Sequence, residues 1–322
     1  ERDGLPTIRQ GSLVRLPITR LDMGTASIES VWEPTDRQSI QGVSASKSFL
    51  NVSLLDNVEG QIWRLRETDG NWQRLRIDLP ANGAVAIVSA MPDSDDLFAT
   101  HTGFLNPTTL YEIDGDQPTK PIQIKQLAPK FDATNLLVDR CEATSKDGTK
   151  IPYFLVRPKN ASKDGSLPTL LYGYGGFEVP MLPSYGGGTG KTWMERGGAF
   201  VLACIRGGGE FGPAWHRAAL GVHRPKAYED FIAVAEDLIQ NGWTSPRRLG
   251  ISGASNGGLL VGASFTKRPD RFNAVVCGVP LLDMLRYSKL LAGASWIGEY
   301  GDPEDPAMRE TLLSYSPYHQ VK

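Results

Sequence analysis

The stretch Leu249-Gly250-Ile251-Ser252-Gly253-Ala254-Ser255-Asn256-Gly257-Gly258-Leu259-Leu260 decides the fold. Its first residues, Leu249 to Ser252, read as an apolar strand. Asn256 to Thr266 reads as a helix. Between them lies Gly253-Ala254-Ser255-Asn256-Gly257, a Gly-x-Ser-x-Gly turn in strand–turn–helix context. In a chain with 35 glycines the bare pattern arises by chance, so that context carries the meaning. A turn this sharp nearly brings strand and helix backbones together, leaving no room for side chains two residues either side of the serine. It also lifts the Ser255 hydroxyl above the sheet, at a helix N-terminus whose free N–H groups favour developing negative charge. Ser255 is the candidate nucleophile; Ser252 lies inside the strand and is the poorer one.

Working outward, apolar strands alternate with helices from about Lys130. Leu136 to Thr144 meets Ile151 to Arg157 across Asp147-Gly148. Strands follow at Thr169 to Tyr172, Ala199 to Ile205 and Ala274 to Val279. A short helix fits Gly190 to Glu195. A longer one fits Ala227 to Ile239, with Tyr228, Phe231, Ile232, Ala235, Leu238 and Ile239 on one stripe. Apolar strands interleaved with helices indicate a mostly parallel sheet covered on both faces, an α/β-hydrolase arrangement. The earlier part is all-β. Gly11 to Leu127 holds short alternating runs punctuated by Asp69-Gly70, Asn82-Gly83 and Asp114-Gly115. In the Gly60 to Arg66 run, Trp63 and Leu65 share one face, Arg64 and Arg66 the other. At roughly 40–45 residues per blade the stretch fits about three propeller blades. The expected division is residues 1–129, a partial β-propeller, and residues 130–322, an α/β-hydrolase domain.

Composition removes other classes. The chain has 322 residues, 34 Lys+Arg against 36 Asp+Glu and a net charge of -2, so it has no global basic field for nucleic acid. Its apolar runs are too short to span a bilayer. Cys141, Cys204 and Cys277 are too few for a disulfide framework or a metal cluster, and Cys204 and Cys277 read as buried small hydrophobes. Two motifs mislead. Gly207-Gly208-Gly209-Glu210-Phe211-Gly212 fits a dinucleotide fingerprint, yet no clear helix opens after Pro213. Gly190-Lys191-Thr192 resembles part of a phosphate loop but lacks its first glycine. His216 and His223 read as surface or interdomain residues. Tyr172-Gly173-Tyr174-Gly175-Gly176-Phe177 follows a strand and could bring the Tyr174 hydroxyl to a reacting carbonyl; it also fits a Gly-rich turn with a packed tyrosine.

From about Lys130 onward the chain resembles the prolyl oligopeptidase family of serine peptidases. The matching blocks are Ser145 to Pro152, Tyr172 to Phe177, Ile205 to Phe211, Trp243-Thr244-Ser245-Pro246, Ala254 to Leu260, Ser295-Trp296 with Tyr300-Gly301, and Tyr315-Ser316-Pro317. The resemblance implies an α/β-hydrolase domain under a seven-bladed propeller, of which Gly11 to Leu127 would be the last blades. It implies Ser255 as nucleophile and an oxyanion hole formed by the Asn256 backbone N–H and the Tyr174 hydroxyl. It further implies a proline pocket with Trp296 stacked on the ring and Phe177, Leu281 and Tyr300 around it. Leu281 stands where family members often carry a smaller Val. For Trp296 the residues alone fit core packing, and its place in the family pattern is the one reason to prefer the pocket.

The implied activity is hydrolysis after proline in short peptides through an acyl-enzyme, with no cofactor and no metal. The acid and base of an α/β-hydrolase triad follow the serine in the chain. The one histidine after Ser255 is His319, in a segment resembling one that precedes the family's catalytic acid. The chain is therefore expected to be an internal fragment, inactive alone, whose partners are proline-containing peptides and the rest of the parent chain: early blades and a C-terminal hydrolase segment. Its open sheet edge is expected to leave apolar surface exposed. Two other readings fit: a related acylaminoacyl- or dipeptidyl-peptidase or esterase, and a non-catalytic propeller-bearing binding protein. Cysteine usage suits the cytoplasm and does not exclude a bacterial periplasm.

Overall fold

The computed structural model describes residues 8–16 and 28–321. The first four residues, and the part of the all-β expectation that falls on 17–27, lie outside these. The described residues form two compact units. The first holds those up to Thr102, with Thr108–Leu127 and Phe211–Ala214. The second holds Gly103–Pro107, Ala128–Glu210 and the chain from Trp215.

In the first unit, β1 (Leu13–Arg15) pairs antiparallel with β2 (Glu29–Trp32). Strands β3 (Gln38–Ala45), β4 (Leu50–Asp56), β5 (Glu59–Thr68) and β6 (Asn71–Arg76) form an antiparallel four-stranded sheet in chain order. A second four-stranded sheet runs β7 (Gly83–Ala90), β8 (Leu97–Gly103), β9 (Thr109–Ile113), β10 (Pro121–Gln126). These up-and-down sheets are propeller blades, and the turns at Asp69 and Asn82 have positive φ, as their Gly neighbours suggested. The two faces of β5 do not divide into core and solvent. Arg64 is buried, whereas Arg66 two residues on is exposed. The Nε of Arg64 donates to Asn51 Oδ1 at 3.2 Å, its guanidinium also reaches the Asp95 carbonyl, and it lies over the Phe49 ring at 4.2 Å. A blade is covered on both faces, so alternation along one strand does not separate core from solvent.

The second unit is built on one six-stranded sheet, in the order β11-β12-β14-β13-β15-β16. Its strands are β11 (Leu136–Thr144), β12 (Lys150–Pro158), β13 (Thr169–Tyr172), β14 (Ala199–Ala203), β15 (Leu249–Ala254) and β16 (Ala274–Gly278). The first three neighbours pair antiparallel and the rest parallel. The helices are α1 (Gly187–Thr192), α2 (Pro213–Arg217), α3 (Pro225–Gln240), α4 (Asn256–Lys267), α5 (Ile297–Tyr300), α6 (Pro306–Tyr315) and α7 (Pro317–Gln320). A mixed sheet with helices on it is the α/β-hydrolase architecture. Helix α3 buries Tyr228, Phe231, Val234, Ala235 and Leu238 completely; Ile232 and Ile239 flank that stripe half-buried. At the β16 edge, Val276 is 60% exposed and Val279 80%.

A buried polar cluster ties the hairpin β11–β12 to α3. Asp230, fully buried on α3, accepts from Ser145 Oγ at 2.6 Å and from Arg206 Nη2 at 2.6 Å and Nε at 2.8 Å. Arg206 also donates to Asp147 in the hairpin turn at 2.6 Å. Its guanidinium holds the Asp147 carboxyl well below the usual carboxylate range. Removing one partner of such a pair strands a charge away from water. Asp230→Asn is therefore expected to lower unfolding free energy by about 3–5 kcal/mol in urea titrations. A change below about 1 kcal/mol would show that the cluster adds little to stability.

Candidate active site

Ser255 follows β15 and caps α4 with φ 58° and ψ -119°, a region L-residues rarely occupy. Its N–H donates to the Gly278 carbonyl at 3.0 Å, which anchors the bend to the end of β16. The neighbouring glycines are required. A Cβ on Gly253 would lie 2.2 Å from the Gly257 oxygen, one on Gly257 2.8 Å from the Gly173 oxygen, and one on Gly258 2.5 Å from the Gly278 oxygen. Each obstacle is backbone and cannot rotate away. The bend leaves Ser255 exposed while Asn256, the first residue of α4, is fully buried. The Asn256 N–H is one of the groups at a helix start with no intrahelical acceptor.

The segment after β13 turns back over this N-terminus. Burial lifts the Tyr174 phenol above its usual range, and a hydrogen-bonding contact with the Ser255 side chain draws it partly back. Tyr174, Phe177, Ser255, Leu281, Trp296 and Tyr300 together line one cavity of about 160 Å³. The six side chains singled out from the sequence thus converge, although they come from four separate segments. Phe177 meets Tyr300 edge-on, with ring centres 5.7 Å apart. Trp296 and Leu281 are half-buried at the rim. A dry apolar cavity of about 150 Å³ accepts a benzene-sized ring. The lining is therefore suited to a small flat apolar group beside a serine hydroxyl.

Sequence reading missed what lies beneath. The Asn256 side chain donates from Nδ2 to the Tyr174 carbonyl at 2.6 Å. Its Oδ1 accepts from Tyr300 Oη at 2.8 Å and from the Arg224 guanidinium. Arg224, wholly buried, donates from Nη1 to Glu299 Oε1 at 2.9 Å, and the same oxygen accepts the Phe177 N–H at 2.8 Å. His216 Nε2 lies 2.8 Å from Glu299 Oε2, so this histidine belongs to the cluster and not to the surface, whereas His223 is exposed. The one sequence signal was a charge, Glu299, set beside Tyr300 in an otherwise apolar run.

The glycine run from 207 also finds its purpose here. Gly207 has φ 94°, and a Cβ on it would meet the Gly175 oxygen at 2.5 Å; a Cβ on Gly209 would meet the Glu178 oxygen at 2.2 Å. The run buttresses the Tyr174–Glu178 loop by close backbone approach, and the Glu178 N–H donates to the Gly207 carbonyl at 3.2 Å. Its neighbour Glu210 is buried, with Oε1 accepting the Met181 N–H at 2.8 Å and Oε2 unpartnered. Among the described residues no group of three or more His, Cys, Asp or Glu is placed to hold a metal ion.

Residues 8–125 match the family model for the prolyl oligopeptidase N-terminal beta-propeller domain, and residues 187–322 match that for the prolyl oligopeptidase family. An uncharacterized peptidase of Sinorhizobium fredii is 48% identical over 290 residues, covering 90% of this chain and 40% of its own length. A prolyl endopeptidase of Elizabethkingia meningoseptica is 40% identical over 261 residues, covering 80% of this chain and 37% of its own. A solved post-proline cleaving enzyme from Rickettsia typhi superimposes with TM-score 0.91 at 38% identity, covering 98% of this chain and 46% of its own. The chain thus spans less than half the length of these relatives.

Two predictions follow from the packing. Gly253→Ala should yield protein that misplaces Ser255, read as loss of labelling by a fluorophosphonate in the full-length protein; undiminished labelling would contradict the steric account. Burial pushes the Glu210 carboxyl up to about 8. With a folded pKa above the unfolded value of about 4.3, its contribution to stability is complete below about 4.3 and is lost as pH rises through about 8. Glu210→Gln, the neutral isostere, should flatten that dependence by about 1.4 kcal/mol per pH unit across the window. Parallel stability–pH curves for the two proteins would refute the assignment.

Proposed function

Because this chain belongs to the prolyl oligopeptidase family, we propose that the full-length protein hydrolyses peptide bonds after proline through an acyl-enzyme on Ser255. The observation that carries this reading is the single cavity shared by Ser255, Tyr174 and the four pocket side chains. Phe177, Leu281, Trp296 and Tyr300 carry no formal charge and offer a proline ring apolar contact. The Ser255 hydroxyl, lifted clear of the sheet by its bend, attacks the carbonyl carbon of the residue seated there. The carbonyl oxygen takes up negative charge as the tetrahedral intermediate forms. The Asn256 N–H and the Tyr174 hydroxyl both donate to it, and donors fixed beforehand cost no reorganisation at that moment. Collapse expels the leaving amine, which takes up the proton removed from the serine, and leaves the acyl group on Ser255 Oγ; water, giving up a proton in the same way, then attacks that ester carbonyl, releasing the carboxylic product and returning the proton to Ser255 Oγ.

The step needs a base to take the serine proton, since a free hydroxyl is a weak nucleophile. The cavity lining contains no histidine; His216 is engaged with Glu299, and His319 Nδ1 lies 2.8 Å from Ser316 Oγ. The base and its acid partner are proposed to come from the portion of such proteins that this chain does not span. Proline-containing short peptides are the proposed substrates.

The test is an assay of the full-length protein on chromogenic peptides ending in Gly-Pro and in Ala-Ala. Turnover is expected on Gly-Pro and to vanish in Ser255→Ala. Tyr174→Phe, which keeps the ring and removes the donor, is expected to lower kcat about 10²–10³-fold. Equal rates on both peptides would set the proline reading aside, and turnover that survives Ser255→Ala would set aside the nucleophile.

A further inference from the structure

We propose that Glu299 and Arg224 are positioning residues for proline recognition, a buried ion pair that fixes the Phe177 wall of the pocket relative to the oxyanion tyrosine. The proposal rests on the post-proline reading above and deepens it. It begins with strain. Phe177 and Glu178 are consecutive non-glycine residues at φ 57°, in the left-handed region that L side chains rarely adopt. A loop containing two such residues is held in place by its partners. Three backbone contacts hold this one: the Phe177 N–H to Glu299, the Glu178 N–H to Gly207 and the Tyr174 carbonyl to Asn256.

Two of those anchors are one assembly. Arg224 spans from Asn256 Oδ1 to Glu299 Oε1, so the Tyr174 end and the Phe177 end of the loop are tied to the same guanidinium. The loop is pressed onto it: a Cβ on Gly176 would lie 2.6 Å from Asn256 Nδ2 and 3.0 Å from Arg224 Nη2. The guanidinium also lies 5.2 Å from the centre of the Tyr300 ring, whose hydroxyl shares the Asn256 oxygen. Glu299 precedes Tyr300 on α5 and follows Trp296 by one turn. One carboxylate therefore ties the Phe177 wall, and through Arg224 and Asn256 the Tyr300 wall, to the residue next to the nucleophile. Neither Glu299 nor Arg224 lines the cavity. Their action is through the residues they hold, and misplacing a reacting partner by about 1 Å is worth about 10²-fold in rate.

The pair could instead serve the fold alone, so the test reads selectivity. In the full-length protein, active sites are counted by fluorophosphonate labelling, and kcat/KM is measured on Gly-Pro and Ala-Ala substrates. Glu299→Gln is expected to lower kcat/KM on Gly-Pro about 10²-fold and the Gly-Pro to Ala-Ala ratio at least about tenfold. The labelling rate should stay within about threefold, because the Asn256–Tyr174 contact survives. Arg224→Lys, which keeps the charge but not the fork, is expected to keep more of the ratio than Arg224→Met. If Glu299→Gln does not fold, Arg224→Met/Glu299→Gln leaves no charge stranded and is read in the same way. A lowered Tm with an unchanged ratio per active site overturns the proposal. A wild-type protein without proline preference, or turnover that survives Ser255→Ala, overturns the underlying reading and not the geometry of the pair.

Discussion

Everything at the candidate site depends on the contact between the backbones of β15 and α4, where the Gly257 oxygen occupies the space a side chain on Gly253 would fill. A serine held at positive φ on such a bend is not relaxed, and residues in that region cost about 1–3 kcal/mol. The strain is tolerated because the bend is anchored on both sides, by the Ser255 N–H to Gly278 and by the first turn of a helix that is otherwise buried. Its consequence is an exposed hydroxyl above a buried asparagine. Exposure of one residue and burial of the next, across a single peptide bond, is what puts the nucleophile in reach of substrate while its neighbour reaches inward to organise the surroundings.

That constraint was legible because it is local. Glycine spacing around Ser255 reports a steric requirement within five residues, and an apolar run before and after sets the strand and the helix. The sheet was legible for the same reason: β13, β15 and α4 follow from short apolar runs. The two units' content was readable from the change in period near residue 130, and the main break between units falls between Leu127 and Ala128. Ser255 was found from its turn and Tyr174 from a glycine-rich run, whereas Phe177, Leu281, Trp296 and Tyr300 were gathered by family resemblance; nothing in the pattern around Trp296 distinguishes a pocket wall from a core residue.

What could not be read is pairing at long range. Arg224 and Glu299 are 75 residues apart, and Phe177 and Glu299 122 apart. A lone arginine before a helix and a lone glutamate in an apolar run each look like surface residues until the fold brings them together. His216 was misjudged for this reason, and the burial of Arg64 could not be read for a related one: in a sheet covered on both faces, a charged side chain of an alternating strand can be interior too. The run from Gly207 to Gly212 misled in the opposite direction. Glycines that let a backbone approach a phosphate also let it approach another backbone, and here the neighbour is the Tyr174–Glu178 loop.

The buried charges deserve the same physical weighing. An ion pair out of water is a poor source of stability, because desolvation takes back most of the Coulombic gain, and apolar replacements are often as stable. Two such clusters lie in this one unit. Arg206 with Asp230 and Asp147 joins a hairpin turn to α3 and touches none of the cavity lining. Arg224 with Glu299 is hydrogen-bonded to Phe177, to Asn256 and, through Asn256, to Tyr300, residues that line the cavity or adjoin the nucleophile, and besides these to His216. Stability alone gives no reason for that difference. A charge-assisted hydrogen bond is short and directional, and an apolar contact is neither. Where a strained loop must be held at one distance from one hydroxyl, direction is the property that matters, and a guanidinium fork supplies it at both ends of the loop at once.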